Sequence, residues 1–81
     1  MTHSGVEARR LALIEIQRSL AERGLPPTRR EISVALGWAS PSTAQQVIGK
    51  LIEEGLIRVE PGIPRGIRIT AMGAKALTVE V

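Results

Sequence analysis

The chain has 81 residues, 43% of them hydrophobic and nearly all of those aliphatic, with a single aromatic side chain, Trp38. That size bounds it to one small domain, expected over residues 1–81, with an aliphatic core and no aromatic platform for stacking single-stranded nucleic acid. The absence of cysteine excludes disulfides, thiol catalysis and Cys-ligated zinc, the lone His3 sits at the terminus, and the net charge of +3 is compatible with a polyanionic partner without demanding one. No cofactor and no metal are expected.

The first helix signal is Ser4-Gly5-Val6-Glu7, the pattern of a capping box. Leu13, Ile16 and Leu20 then recur at helical spacing, with Arg9, Arg10, Gln17 and Arg18 off that stripe. Gly24 fits the left-handed residue beyond a helix end, and Pro26-Pro27 prevents continuation. A second capping box, Thr28-Arg29-Arg30-Glu31, opens a short helix with Ile32 and Leu36 as its apolar side and Gly37 as its stop. Trp38 is expected to pack under the turn that follows.

Ser40-Pro41 opens a third helix, an N-cap followed by proline at the first helical position. It is expected to run to about Glu54, with Ala44, Val47, Ile48, Leu51 and Ile52 apolar and Gly55 closing it. The period then changes to two. Residues 56–60 and 66–70 alternate around a five-residue turn, Pro61 to Arg65, so a hairpin is expected with Ile57, Val59, Ile67 and Ile69 inward and Arg58, Glu60, Arg68 and Thr70 outward. Such a hairpin is marginal alone and must pack on the helices. For Ala71 to Val81 a short helical turn and a frayed end are both compatible with the sequence. No apolar run approaches the roughly 18 residues that cross a membrane, and no signal-peptide pattern is present, so a cytoplasmic location without a membrane partner is expected.

Three helices followed by a two-stranded wing is the order of a winged helix-turn-helix, a mainly α fold with a small β hairpin. Similar helix pairs occur in domains that never meet DNA, so the face of the third helix has to decide. Ser42, Gln45, Gln46 and Gly49 stand at i, i+3, i+4 and i+7, one outward stripe, flanked by Thr43 and Lys50. Glutamine pairs a donor and an acceptor with adenine, and serine or threonine addresses several bases. A generic solvated face would more often carry Glu and Lys. Basic residues flank the stripe: Arg29 and Arg30 at the start of the second helix, Arg65 at the hairpin turn, Arg68 on its second strand. Each alone is more often a solvated charge; taken with the helix face they suit backbone phosphates, Arg29 and Arg65 best. Enzyme chemistry is not expected. There is no Asp, Glu53-Glu54 splay apart on a helix, no histidine lies near the serines, and no glycine-rich phosphate loop is present.

The strings Gly24 to Ile32 (GLPPTRREI), Leu36 to Pro41 (LGWASP), Gly55-Leu56-Ile57 and Arg65 to Arg68 (RGIR), in this order, resemble the N-terminal DNA-binding domain of the LexA repressor family over about Val6 to Ile69. The resemblance implies a winged-helix repressor domain whose base readers are Ser40, Ser42, Thr43, Gln45 and Gln46. The wing arginine matching the family is Arg65; with Thr28, Arg29, Arg30, Lys50 and Arg68 it completes the backbone contacts expected of this chain. The family commonly has Asn-Ala and Glu-Glu where this chain has Ser42-Thr43 and Gln45-Gln46, so the recognised base sequence does not carry over. Nor does the sequence show the family's Ala-Gly cleavage site or Ser/Lys dyad, so self-cleavage is not expected of it. The expected function is sequence-specific binding of double-stranded DNA in transcription control; a winged-helix protein-interaction module within a larger complex is the alternative. The isolated chain is expected to be a monomer or weak dimer that pairs on a two-fold DNA site or with a partner protein. Leu11, Ile14, Leu77, Val79 and Val81 are candidates for a seam, although core cover is the plainer use for them.

Overall fold

Capping and periodicity place the end of the first helix and both ends of the second and third. The computed structural model describes residues 5–79; His3, Ser4 and Val81 lie outside the described residues, and with them the first predicted cap. The order is α1 (Gly5–Arg23), α2 (Arg29–Leu36), α3 (Pro41–Glu53), β1 (Ile57–Val59), β2 (Ile67–Ile69) and α4 (Ala71–Val79). The result is a winged helix: three packed helices, a two-stranded antiparallel wing and a closing fourth helix.

Each stop has a visible cause. Gly24 takes φ +72°, and its amide donates to Leu20 O at 3.0 Å. At the end of α2, Gly37 is left-handed, its amide donates to Val34 O, and the Trp38 amide donates to Ser33 O at 2.9 Å. The end of α3 repeats this arrangement. Gly55 stands at φ +76°, its amide donates to Ile52 O, and Leu56 N donates to Leu51 O, each at 3.0 Å. Both are Schellman turns, which return the chain sharply and satisfy the last carbonyls.

Each of the first five elements sends a side chain into one core. Ile16 of α1, Ile32 of α2, Ile48 and Leu51 of α3 and Ile57 of β1 are fully buried, with Leu13, Ala12, Ala44, Val47 and Ile67 beside them. Each large aliphatic side chain so buried contributes about 1.5–3 kcal/mol of transfer free energy. Leu20, Leu36, Trp38, Val59 and Ile69 pack around the edge, as the periodicity predicts. Ile52 departs from the expectation and is 42% exposed. Leu51 holds the inward direction at that level of α3, and the next residue is turned about 100° away.

The wing pairs Ile57 with Ile69, Arg58 with Arg68 and Val59 with Ile67. Thr70, expected to point outward, instead caps α4. Its hydroxyl donates to Gly55 O at 2.6 Å and accepts from Gly73 N at 3.0 Å, tying the end of α3 to the start of α4. Strand pairing ends at Ile69; the Thr70 amide still donates to Leu56 O at 3.1 Å, while its side chain serves the next helix. Gly73 lets α4 lie directly on the β1 end, because a Cβ there would overlap Leu56 O. Of the seam candidates, Leu77 packs against the core, Leu11 is half-buried and Ile14 is 39% exposed.

Candidate nucleic-acid interface

The turn between α2 and α3 sets the site. Gly37, Trp38, Ala39 and Ser40 separate the two helices, and Trp38 folds back onto the core. Ser40 then caps α3, its Oγ accepting from Ser42 N at 3.3 Å and lying 2.7 Å from Ser42 Oγ. Proline at the first helical position follows. These caps fix the direction of α3 independently of any ligand.

Because Ala44, Val47, Ile48 and Leu51 face the core, the opposite side of α3 is open. Ser42, Gln45, Gln46, Gly49, Lys50 and Glu53 line one shallow depression there. Thr43 is half-buried and does not line it. Lys50 lies 3.7 Å from Glu53. The Gln45 and Gln46 amides are exposed, and among the described residues nothing in the chain pairs with them.

The flanking cations divide into two kinds. Arg29 and Arg30 are exposed in the first turn of α2, and their side chains make no ion pair or hydrogen bond among the described residues. Arg65 and Arg68 turn back onto their own chain. Arg65 Nη1 donates to Pro26 O at 2.9 Å and to Glu31 Oε1 at 2.7 Å, while Nη2 donates to Glu31 Oε2 at 2.7 Å. Arg68 Nη1 donates to the carbonyls of Arg65 and Ile67. Thr28 is held in the capping box read from the sequence, its Oγ1 accepting from Glu31 N and its amide donating to Glu31 Oε1, both at 3.1 Å. The hydrogen bond from Arg65 and that from the Thr28 amide bring the Glu31 carboxyl down to about 2 from an ordinary 4.5.

This arrangement, a helix-turn-helix with an open polar face and a wing, is matched by a family model described as the LexA DNA binding domain over residues 6–66. The chain belongs to the LexA DNA-binding-domain family. Among its relatives are LexA repressor 1 of Pseudomonas putida, 46% identical over 61 residues, which are 75% of this chain and 30% of the relative. The LexA repressor of Shewanella baltica is 45% identical over 56 residues, 69% of this chain and 27% of the relative. That of Halorhodospira halophila is 49% identical over 55 residues, 68% of this chain and 24% of the relative. The chain thus matches less than a third of the length of these LexA relatives. The LexA match runs through α1, α2, α3, β1 and the wing turn; α4 lies beyond it.

Two residues of this LexA-type surface escape the sequence reading as site residues. Arg58 is exposed and stands opposite Arg68 on the outer wing face, where like charges directly across a ladder repel; its bond to Glu60 is 3.3 Å long and exposed. The alternating pattern had already put both arginines outward, and a register for the turn would have paired them. Glu31 reads as a cap alone, because its wing partner lies 34 residues away in the sequence. Among the described residues no group of His, Cys, Asp or Glu could hold a metal ion, and no helix is long and apolar enough to cross a membrane.

Proposed function

We propose that this chain is the sequence-specific double-stranded-DNA-binding unit of a LexA-type transcriptional repressor, acting in the cytoplasm by binding and not by catalysis. In this reading α3 lies in the major groove. Ser40, Ser42, Thr43, Gln45 and Gln46 face base edges. Thr28, Arg29, Arg30, Lys50 and Arg68, joined by Arg58, meet the backbone. The observation that carries the reading is the pair of glutamine amides on an exposed helix face, with no partner among the described residues, beside two unpaired arginines at the start of α2. Amides of that kind favour sites containing adenine, because only adenine offers the matching donor and acceptor in the major groove. A single winged helix covers one half-site, so tight binding comes from pairing on a two-fold site or with a partner protein.

Selection of duplexes from a random pool, followed by titration of the winning duplex and a scrambled one across salt, tests this directly. A sequence preference that persists as salt rises supports it. Equal affinity for the two duplexes at every salt concentration contradicts it.

A further inference from the structure

Arg65 carries the wing's most extensive set of polar contacts, and all of them run inward. Its guanidinium clasps both oxygens of Glu31 and the carbonyl of Pro26. Glu31 in turn accepts from the Thr28 amide and, at 3.1 Å, from Arg23 Nη2. Arg23 Nη2 also donates to Ser19 Oγ, and Ser19 Oγ donates to Leu25 O at 2.7 Å. One carboxylate therefore gathers the end of α1, the start of α2 and the base of the wing. The wing needs such an anchor. Its strands are three residues each, and its turn is closed by the Glu60 N to Gly66 O bond. A hairpin this short does not hold its own orientation in water.

We propose that Arg65 is a positioning residue: through its two-pronged bond to Glu31 it fixes where the wing stands relative to α2 and α3, and so governs DNA binding without contacting the phosphates itself. The inference rests on the DNA-binding reading above and gives Arg65, which is not among the backbone contacts named there, a task of its own. The clasped pair is formally neutral, so Glu31 cancels most of the attraction Arg65 would offer a polyanion. Arg58 and Arg68 stand opposite each other on the wing strands, and their distance from the α3 face depends on the angle that the clasp sets.

The substitution Glu31→Gln separates the two roles by sign. Glutamine keeps the reach-back bond to the Thr28 amide, since either residue completes a capping box, but it loses the charge and one acceptor oxygen. If Arg65 touches phosphate, removing the nearby negative charge strengthens duplex binding. If Arg65 positions the wing, Glu31→Gln weakens it. The experiment titrates the pool-selected duplex against wild type, Glu31→Gln, Arg65→Lys, Arg65→Ala and the double variant Glu31→Gln/Arg65→Ala. Salt is varied, and the folded fraction is measured by circular dichroism. Expected are losses on the order of tenfold for Glu31→Gln and for Arg65→Ala, with no further loss in the double variant, as for residues of one hydrogen-bond network. The log-log salt slope stays at its wild-type value. Arg65→Lys, which keeps the charge and loses the clasp, falls between. Amide exchange at Glu60 quickens in Glu31→Gln. Unchanged or tighter binding by Glu31→Gln, or a salt slope flattened by about 0.9 in Arg65→Ala alone, overturns the proposal. So does an affinity loss that vanishes once the folded fraction is corrected. Should Arg65→Ala fail to fold, Glu31→Gln and Arg65→Lys decide by the same signs. A wild-type chain that retains no duplex rejects the DNA-binding reading itself, before any variant is made.

Discussion

Two polar regions of this molecule are built on opposite terms. At the corner where α1, α2 and the wing meet, Thr28, Glu31, Arg23 and Arg65 are bonded to one another. On the outer face of α3, Gln45 and Gln46 have hydrogen-bonding groups and no partner among the described residues. The first arrangement holds a shape. The second leaves its donors and acceptors in water, free to exchange water for another partner. Residue type alone does not tell these apart, since glutamines, arginines and glutamates are polar in both places. What separates them is whether the fold brings a partner within reach.

The comparison breaks most easily on the α3 face. Gln45→Ala and Gln46→Ala are each expected to cost about 1–3 kcal/mol of discrimination between the selected duplex and a scrambled one, with thermal stability and binding to the scrambled duplex nearly unchanged. Equal losses on both duplexes would mean that the face reads no bases. At the bonded corner the expected signature is reversed. Thr28→Ala should lower stability by about 1 kcal/mol, the usual cost of a lost cap, visible as an earlier midpoint in urea.

Acid probes the same corner. Glu31 is lowered to about 2 from 4.5, so its folded state binds the proton less readily than the unfolded chain. Its contribution is therefore complete above about pH 4.5 and disappears as pH falls towards 2. Urea midpoints of wild type and Glu31→Gln should differ at pH 7 and converge at the acid end.

Two smaller effects sharpen the contrast. Arg29→Ala removes an unpaired cation and should flatten the log-log salt slope by about 0.9 with similar loss on any sequence; an unchanged slope places Arg29 off the backbone. Gly49 lies on the open face of α3, and a Cβ there meets nothing within 4 Å. Gly49→Ala should therefore raise stability by about 0.5–1 kcal/mol. It should also weaken duplex binding, since the glycine has no packing reason within its own chain and a methyl group would stand between helix and groove. Thermal unfolding and a duplex titration on the same samples measure both.

Local chemistry explains what the sequence made legible. Thr28 with Glu31, Gly37, Ser40 with Pro41 and Gly55 each act within a few residues, and each bounds a helix where the pattern says. The open face of α3 follows from the same logic, because Ala44, Val47, Ile48 and Leu51 turn inward at helical spacing. Contacts between distant residues were not legible. Thr70 reads as the last residue of an alternating strand, and only its bonds to Gly55 and Gly73 show it starting α4. Arg65 reads as a turn-borne cation, and its engagement with Glu31 requires the wing to fold back across 34 residues of chain. Ile52 shows a finer limit: an apolar residue next to an inward one can be left outside.

Trp38 gives the molecule an optical property. It is the chain's only aromatic residue, half-buried in the turn between α2 and α3. It lines a surface depression together with Arg29, Arg30, Ser33 and Ala39. With no tyrosine or phenylalanine beside it, all near-ultraviolet absorption and emission of the protein originate in this indole. Its emission wavelength registers whether the turn is packed, and its intensity registers what approaches the start of α2. The unlabelled chain thus carries its own fluorophore at the joint between α2 and α3, and one cuvette can follow unfolding and, on the proposed DNA-binding reading, duplex engagement through the same photon count.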